Sequence, residues 1–502
     1  MIRKLGLMAA LLAFTFMAMA PSANAYNEAD HVYVAANGVG DALVFPAYIV
    51  GGTFKTNIRV INTSNTYSVV AKVVFREGFS CCETRDFFIY LSPNDVWEAE
   101  IIDKNGKVTI VSDDDSSPIV PLEIAMATSC NGFPDVIGLI EVYEAYAFAN
   151  FREDGTCGDN GCTGGDIVSA PIPKQLIKDA YDEAPNSLAN LNCANGFTCV
   201  SFESGNNDYC VQVYRSKNVL TGVEEMVDPS AGMVLPQPAT ALANNCNAVK
   251  LTVNEETRWD NYGNNTDFEV RAALAKETIH IPFRSDNKNS TLAVLSFPAK
   301  LSCCLSGTDD CDGSISACDA TTNRGDECLH CDSFIGNDYD CLHMKEHATT
   351  WAYKPYDMEE NTPKKDDPVF SPVPPSGERP PLVNCVEVLD LEDFNGVDTT
   401  ASYTEGWVRI TMTDACCQRF GATREAGKNI WYNGSAVIPT YVEVGNGDIA
   451  WIASSYDCAN VIVTNDASTE NCGAPTPVNC GSFDNCSYQV ISPNMTPLSC
   501  GQ

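Results

Sequence analysis

The stretch from Thr56 to Ile102 reads TNIRVINTSNTYSVVAKVVFREGFSCCETRDFFIYLSPNDVWEAEII, and its pattern decides the fold class. Runs rich in β-branched and aromatic residues alternate between apolar and polar positions, which is typical of half-buried strands. Turn residues such as the Ser64-Asn65 pair separate the runs. Strands with turns about every 8–12 residues are typical of an antiparallel β-sandwich. The four runs are Thr56 to Asn62, Tyr67 to Phe75, Phe87 to Leu91 and Val96 to Ile102.

Comparable strand patterns recur along the rest of the chain, whereas helical patterns are sparse. Pro173 to Leu191 and Thr266 to Lys276 are the segments in which we expect helices. The sequence therefore predicts a mainly β protein: an immunoglobulin-like antiparallel β-sandwich assembled from discontinuous segments, with disulfide-rich insertions and few helices. The further predicted strands are Gly138 to Phe148, Val211 to Tyr214, Leu251 to Val253, Glu277 to Phe283, Leu292 to Phe297, Gly406 to Met412 and Ala436 to Val442.

Cysteine-rich and proline-rich segments interrupt the strand pattern and divide the chain. We expect strands from Val44 to Ile101, Gly138 to Phe148 and Gly406 to Met412 to share one sandwich despite their separation in sequence. The predicted parts are a signal peptide (1–25), the first part of the sandwich (26–150), an insertion with a short helix and cysteine-rich loops (151–210), the continuation of the sandwich (211–302), a cysteine-rich insertion (303–353), a proline-rich arm (354–383), the closing strands of the sandwich (384–460) and a cysteine-rich C-terminal tail (461–502).

The N-terminus has the three parts of a secretion signal. Arg3 and Lys4 precede an uncharged apolar run from Leu5 to Ala20, and Ala23-Asn24-Ala25 fits a signal-peptidase site before Tyr26. An uncleaved membrane anchor is the alternative, although the run is short for a bilayer span. We expect a secreted or cell-surface protein without a membrane span in the mature chain, and the periplasm is the alternative location.

The charge balance is strongly acidic. The 502 residues include 66 acids and 31 bases, which gives a formal net charge of −35. Phosphate backbones and anionic lipid surfaces attract basic patches, so nucleic acid and electrostatic docking on such a surface are excluded from the expected partners. The partners we expect are further copies of the chain or other components of a cell surface.

The 24 cysteines are even in number, and none lies in the predicted signal peptide. In an oxidising compartment such cysteines form structural disulfides, so we expect nearly all of them to pair. The alternative is a redox or metal-thiolate centre. The glycine-rich segment from Asn150 to Thr163 contains Cys157 and Cys162 and is expected to be a stapled loop. Connectivity does not follow from the sequence, but neighbouring cysteines are expected to reach different partners; these are Cys81-Cys82, Cys303-Cys304 and Cys416-Cys417.

One short motif suggests catalysis. His343-Met-Lys-Glu346-His347 matches the H-x-x-E-H pattern, which on a helix places two zinc ligands and a glutamate on one face. Its third zinc ligand would be Glu425 or a neighbour. The motif lies between a cysteine-dense segment and a proline-rich one, which is a poor context for the buried helix that such a site needs. We therefore expect an incidental or structural role.

Other cysteines and acids have spacings that fit metal ions. One set of cysteines and histidines has the spacing of a zinc knuckle. Disulfide formation is the expected outcome for its cysteines. Calcium prefers the hard oxygen ligands of acidic loops such as Asp113-Asp114-Asp115. The second acidic loop, Asp309 to Gly313, departs from the EF-hand pattern, with Thr308 ahead of it. Solvated loops are the simpler interpretation, so calcium is a possible ligand and no metal or cofactor site is assigned. The possible knuckle comprises Cys328, His330, Cys331, Cys341 and His343.

The stretch from Val44 to Ile101 resembles the N-terminal part of an uncharacterised family of secreted and cell-surface bacterial proteins. In that family an Asn-Thr-Ser turn precedes an F-x-I-Y-L-S-P-N-D-V-W segment, as Asn62 to Ser64 precedes Phe87 to Trp97 here. The resemblance implies an immunoglobulin-like sandwich built from distant strands, and it carries no catalytic residue. Further matches follow in order: GLIEVYEAY (138–146), NVLTGVEEMV (218–227), PATALAN (238–244), STLAVLSFPAKL (290–301) and EGWVRITM (405–412).

These observations favour an exported structural or binding protein of the bacterial cell surface, with no catalytic residues. A component of a surface layer, a filament or an adhesive structure would fit them. The first alternative is an exported hydrolase, zinc-dependent through His343, Glu346 and His347. The second is a carbohydrate- or calcium-binding module.

Overall fold

The computed structural model describes the chain from residue 32 to residue 498 with gaps. Within this part the protein is mainly β, with several antiparallel sheets and two helices, as the sequence predicts. The immunoglobulin-like form of the sandwich stays a prediction. The described residues are 32–78, 81, 83–126, 136–187, 196–230, 232–245, 266–276, 278–284, 289–298, 349–357, 382, 384–391, 405–414, 419–422, 429–432, 435–445, 448–453, 461–464 and 496–498.

The described elements up to residue 243 are strands and one helix. They are β1 (Tyr33–Val34), β2 (Ala42–Ile49), β3 (Lys55–Asn62), β4 (Ser68–Glu77), β5 (Glu83–Leu91), β6 (Val96–Asp103), β7 (Val108–Ser112), β8 (Leu122–Ala125), β9 (Ile137–Glu153), β10 (Thr156–Gly158), β11 (Gly161–Thr163), β12 (Asp166–Ile167), α1 (Lys174–Ser187), β13 (Thr198–Ser204), β14 (Asn207–Tyr214), β15 (Leu220–Asp228), β16 (Met233–Pro238) and β17 (Thr240–Ala243).

The described elements after residue 265 begin with the second helix. They are α2 (Thr266–Leu274), β18 (Ala275–Lys276), β19 (Thr278–Arg284), β20 (Asn289–Ser296), β21 (Thr349–Asp357), β22 (Val386–Asp390), β23 (Glu405–Asp414), β24 (Arg419–Ala422), β25 (Asn429–Tyr432), β26 (Ser435–Ala436), β27 (Ile438–Gly445), β28 (Asp448–Ala453), β29 (Val461–Thr464) and β30 (Thr496–Leu498).

Two large antiparallel sheets form the first unit of the molecule. The first sheet follows the order β1-β17-β2-β9-β14-β13; β4 and β12 also pair with β9, and β5 pairs with β4. The second sheet follows the order β16-β15-β3-β6-β7-β8. Strands from beyond residue 198 therefore complete sheets that begin near residue 33, so the first unit is discontinuous in sequence.

Alternation in the strands builds a core between these two sheets. In β3 the side chains of Ile58 and Val60 point inward and are fully buried, while Arg59 between them points outward. Phe45 from the first sheet and Trp97 from the second join the same apolar cluster. The Trp97 indole N–H donates to the Ser117 hydroxyl at 2.9 Å, so the core leaves this polar atom satisfied.

Helix α1 covers the other face of the first sheet. It begins directly after Pro173, a residue that suits the start of a helix because it has no N–H to satisfy. Leu176 and Ile177 are buried in the same cluster as strand residues from β4, β5 and β9. The Tyr181 ring lies 5.0 Å from that of Phe88 and 5.8 Å from that of Tyr146. Strand β9 is consequently buried on both faces along most of its length.

The second unit contains smaller antiparallel sheets, ordered β19-β23-β21 and β22-β20-β27-β28. Ile281 and Ile410 from the first of these sheets share a buried cluster with Leu295 from the second. Two further small sheets pair β18 with β26 and run in the order β24-β25-β29-β30. Between the two units, Ala47 and Met226 from the first unit pack in one cluster with Val442 from the second.

This arrangement corrects one expectation about strand sharing. The Gly138 to Phe148 stretch does pair with β2 and β4, but Gly406 to Met412 lies in β23, between β19 and β21. A strand pattern specifies that a segment is extended and half-buried, and several sheets of one chain offer the same surroundings. The pattern therefore could not distinguish the first unit from the second.

Candidate functional site

Two β-hairpins at the margin of the first sheet bring four cysteines together. In the β10–β11 hairpin Cys157 lies directly opposite Cys162. In the β13–β14 hairpin Cys210 lies opposite Ser201, and Ser201 follows Cys199 by two residues in β13. Since residues two apart on a strand share a face, each hairpin presents its two cysteines on one side. We call these four residues the sulfur centre.

The sulfur centre contains two disulfides that join the hairpins. Cys157 bonds to Cys199, and Cys162 bonds to Cys210. The sulfurs that are not bonded to each other are also close: 3.2 Å for Cys157 and Cys210, 3.5 Å for Cys162 and Cys199, and 3.1 Å for Cys199 and Cys210. All four sulfurs lie within 4.8 Å of one another. At these distances all four sulfurs could bind the same ion or exchange disulfide partners.

A cationic side chain lies beside the sulfur centre. Arg152 of β9 pairs directly with Cys210 of β14. One guanidinium nitrogen, Nη1, donates to the Gly164 carbonyl at 3.2 Å. The Nε atom is buried and has no hydrogen-bond partner among the described residues. The absence of a side chain at Gly155 lets the backbone there lie against the Arg152 side chain. A Cβ at position 155 would be only 2.9 Å from the Arg152 Cβ.

A second cluster of buried polar groups lies where the loop between β14 and β15 contacts Asp41 and strand β9. Asp41 and Glu144 are almost completely buried. The Asp41 carboxylate accepts hydrogen bonds from the Asn245 amide at 2.9 Å and the Ser216 hydroxyl at 2.8 Å. Glu144 accepts a 2.7 Å hydrogen bond from the Lys217 amide. The two carboxylates thus fasten consecutive residues of the loop between β14 and β15.

Burial and charge act together on Glu144. Burial raises the pKa of Glu144 well above its ordinary value, and the nearby Asp41 carboxylate raises it further. The backbone amides of Lys217 and Val219 act in the opposite direction, because they stabilise the ionised carboxylate. The Lys217 ammonium lies 4.4 Å from the centre of the Tyr214 ring, so its charge is held close to this end of the core.

Two hydrogen bonds also join the same loop to the end of β17. The Asn218 side chain donates to the Asn244 side-chain oxygen at 2.8 Å, and the Asn244 amide donates back to the Asn218 side-chain oxygen at 2.9 Å. Both residues have positive φ angles, 23° for Asn218 and 59° for Asn244, which asparagine tolerates better than most residues. These contacts and those of Asp41 and Glu144 hold the loop between β14 and β15 in place. Holding the loop accounts for the burial of these polar side chains.

The acidic loop Asp113-Asp114-Asp115, considered as a possible calcium ligand, makes hydrogen bonds that close a turn. The Asp114 amide donates to the Ser112 hydroxyl at 3.1 Å, and the Asp114 carboxylate accepts from the Ser116 amide at 2.7 Å. These bonds close the turn before β8 in the manner of an Asx turn. Asp113 and Asp115 on either side are exposed. Calcium stays a possible ligand of this loop, and no metal site is assigned to it.

The other predicted site residues lie outside the described residues. This applies to the hydrolase motif His343, Glu346 and His347, to its possible third ligand Glu425, and to the acidic loop Asp309 to Gly313. The zinc-knuckle candidates also lie there: Cys328, His330, Cys331, Cys341 and His343. The hydrolase and zinc-knuckle hypotheses therefore rest on the sequence alone.

Sequence reasoning located half of the sulfur centre. It expected Cys157 and Cys162 to staple a loop, but did not identify Cys199 and Cys210 as their partners. A usable signal was present, since the Gly-Asp-Asn-Gly segment between Cys157 and Cys162 is a turn sequence that places both on one hairpin. The partner hairpin is about 40 residues away along the chain, and local patterns do not specify such long-range contacts.

Comparisons with known proteins give no family assignment. A scan of protein-family models gave no match, and searches of curated proteins and of solved structures gave none either. The resemblance to secreted bacterial proteins therefore stays a prediction. In the described ranges no helix combines the length and apolar character needed to cross a bilayer.

Proposed function

We propose that this chain is a disulfide-stabilised structural or binding protein of the bacterial cell surface, acting by assembly or binding rather than by catalysis. The observation that carries the proposal is the Cys81–Cys385 disulfide, which joins residues 304 positions apart. It links the β4–β5 turn of the first unit to the start of β22 in the second. A bond of this kind forms and persists in an oxidising compartment outside the cytoplasm.

The two disulfides of the sulfur centre support the same location. Cys157–Cys199 and Cys162–Cys210 fasten the β10–β11 hairpin to the first sheet, so covalent bonds secure a small element that has little apolar core of its own. The predicted signal peptide (1–25) and the formal charge of −35 fit an exported protein. Cation-screened contact between copies is the form of assembly we expect, since this much like charge opposes close approach.

The location is tested by fractionating the source cells and analysing the recovered protein. We expect it in the periplasmic, surface or medium fraction, with Tyr26 as its first residue and with almost no free thiols after denaturation without reductant. Immunogold labelling of intact cells then identifies surface exposure. Recovery from the cytoplasm with residues 1–25 attached and most cysteines reduced would overturn the proposal.

The assembly role needs its own measurement. Light scattering of the mature protein during calcium titration, with sodium at matched ionic strength as the control, reports association between copies. We expect particle size to rise with calcium and to fall again on chelation. A protein that stays monomeric throughout and hydrolyses peptides, with loss of that activity on His343→Ala, would replace this proposal with the zinc hydrolase.

A further inference from the structure

The sulfur centre has the geometry of a second chemical state. A tetrahedral zinc ion with four thiolates has zinc–sulfur distances near 2.3 Å, which places the sulfurs about 3.8 Å apart. Three of the four unbonded sulfur pairs are already 3.1–3.5 Å apart: Cys157 with Cys210, Cys162 with Cys199, and Cys199 with Cys210. Once the two disulfides are opened, these pairs would reach that spacing by separating about 0.3–0.7 Å further, while the formerly bonded sulfurs would have to move farther apart than that.

The placement of the cysteines on two hairpins favours the same state. Cys157 and Cys162 come from one hairpin and Cys199 and Cys210 from another, and the two pairs face each other. Four ligands presented in pairs by two rigid turns surround an ion from both sides, which is how structural zinc sites with four cysteines are closed. The hairpins are held by backbone pairing, so this placement does not depend on the disulfides alone.

We propose that Cys157, Cys162, Cys199 and Cys210 form a two-state centre, with two disulfides when oxidised and one tetrahedral zinc ion when reduced. The reduction consumes two equivalents of a dithiol, each of which gives two electrons and two protons to one disulfide and becomes a disulfide itself. The four resulting thiols bind one Zn²⁺ and release four protons. Oxidation by a disulfide reagent reverses both steps and expels the metal.

The neighbouring arginine suits the charged form. Four thiolates and one Zn²⁺ carry a net charge of −2, which is costly near a buried residue such as Cys210. The guanidinium of Arg152 supplies a positive charge in the pairing position beside Cys210. Its buried Nε donor has no partner among the described residues, so it is available to a thiolate. Thiolates are stabilised by a cation placed in this way.

The zinc state would preserve the attachment of the hairpin. The β10–β11 hairpin pairs with itself and is held against the first sheet by Cys157–Cys199 and Cys162–Cys210. Reduction without metal removes both links. Zinc would replace them with four bonds to one ion, so the hairpin would stay docked under reducing conditions.

The experiment is a cysteine-by-cysteine alkylation footprint on the full mature chain. The protein is reduced anaerobically with an excess of dithiothreitol, transferred to metal-free buffer, and treated with iodoacetamide with or without one equivalent of zinc. Peptide mass spectrometry then gives a rate for each cysteine. We expect zinc to slow alkylation at least about tenfold at the four cysteines of the centre, because metal-bound thiolates are poorly available. Cobalt in place of zinc should give the visible absorption of a tetrahedral thiolate complex.

Three variants separate zinc binding from disulfide formation. Cys157→Ser removes a ligand and should abolish the protection of the other three cysteines. Cys157→His cannot form a disulfide but can ligate zinc, so it should retain the protection. The matched control is Cys81→Ser with Cys385→Ser, which removes two thiols outside the centre and should leave the protection unchanged.

Three results would overturn the proposal. The first is that zinc leaves the alkylation rates of the four cysteines unchanged while circular dichroism shows that the reduced chain keeps its β structure. The second is that the reduced chain loses its β structure and zinc does not restore it, since the site requires folded hairpins. Equal protection in the serine and histidine variants would also contradict ligation by residue 157.

Discussion

Glu224 lies directly opposite Gln237 across β15 and β16, with both side chains facing the interior of the first unit. The two residues are 0% and 2% exposed. One carboxylate oxygen of Glu224 and the side-chain oxygen of Gln237 have no hydrogen-bond partner among the described residues, while the Ala47 amide donates to the other Glu224 oxygen at 3.5 Å. Two facing acceptors are satisfied if Glu224 carries a proton and donates it.

The first prediction concerns the pH dependence of stability. Burial raises the pKa of Glu224 well above its ordinary value, and the Ala47 amide opposes this. The folded protein therefore keeps a proton that the unfolded chain releases above its ordinary carboxyl pKa. Stability from this group is full below the unfolded pKa and is lost as pH rises toward the folded one. Glu224→Gln should therefore raise the free energy of unfolding at pH 8 by about 1–3 kcal/mol.

Urea unfolding at pH 4 and pH 8 measures this effect. At pH 4 the parent and Glu224→Gln should differ little, because the glutamate is then protonated in the folded state and largely so in the unfolded state. The matched control is Glu225→Gln on the outward face of the same strand, where the ion pair with Arg59 is partly exposed. Its effect should stay within about 0.5 kcal/mol at both pH values. Glu224→Gln that is less stable than the parent at pH 8 would contradict the prediction.

The second prediction concerns a buried ion pair in the first sheet. Arg76 Nε donates to a Glu141 carboxylate oxygen at 2.7 Å, and the Tyr143 hydroxyl donates to the same oxygen at 2.7 Å. The side chains of Arg76 and Glu141 are 4% and 0% exposed. Glu141→Gln removes a carboxylate charge that is hydrogen-bonded to a buried guanidinium and should cost about 3–5 kcal/mol. Tyr143→Phe removes one hydrogen bond and should cost about 1–2 kcal/mol.

Hydrogen exchange of the β9 amides in urea measures the free energy of opening of the first sheet. This measurement does not include the stability of the second unit. Glu98→Gln is the matched control, because Glu98 also bonds an arginine, Arg59, at 2.6 Å but is 58% exposed. Its cost should be below about 1 kcal/mol. Equal costs for Glu141→Gln and Glu98→Gln would show that burial adds nothing to this ion pair.

The third prediction concerns Gly138, where β9 passes closest to its neighbours. A Cβ at this position would collide with the Arg76 carbonyl oxygen and lie 2.6 Å from the Tyr48 hydroxyl. The carbonyl belongs to the backbone of β4 and cannot rotate away. Gly138→Ala should therefore destabilise the protein by about 3 kcal/mol, at the upper end of the usual cost of overpacking.

Thermal unfolding of Gly138→Ala is compared with that of Gly106→Asn. Gly106 lies in a turn with a φ of 77° and has open space where a Cβ would be. Asparagine tolerates this backbone conformation, so the control should shift the melting temperature only slightly. A Gly138→Ala protein that melts with the parent would mean that β4 and β9 can separate at this point without cost.

Local features of the fold were predictable from sequence. The patterns at Thr56 to Asn62 and Val96 to Ile102 correspond to β3 and β6, and the helical segments correspond to α1 and α2. In β3 one residue in two is buried because one face of the strand lies on the core. Period-two alternation therefore carries enough information to identify a strand and its buried face.

Long-range relations were not predictable in this way. Strand β9 is buried on both faces, and Glu141 and Glu144 interrupt what would otherwise be an apolar run. Residues three apart lie on opposite faces of a strand, so alternation does not indicate where both carboxylates go. Their burial depends on partners 65 and 73 residues away, Arg76 and Lys217. The same limit applies to the sulfur centre and to the placement of β23, because each is decided by which distant segments pack together.

The last prediction concerns the covalent link between the two units. The Cys81–Cys385 disulfide is fully enclosed, and the Val386 amide beside it donates to the Gly78 carbonyl at 2.8 Å. A bond across 304 residues restricts the unfolded chain strongly, so replacing both cysteines with serine should cost about 2–5 kcal/mol. Calorimetry should show the second unit unfolding at a lower temperature, ahead of the first.

Ser296→Ala is the matched control for this link. The Ser296 hydroxyl donates to the Pro46 carbonyl across the same junction, so this variant removes a non-covalent contact between the same units. Its cost should be about 1 kcal/mol, the usual net value of one hydrogen bond. If the serine double variant melts no lower than Ser296→Ala, packing of Ala47 and Val442 at the junction holds the units together without help from the disulfide.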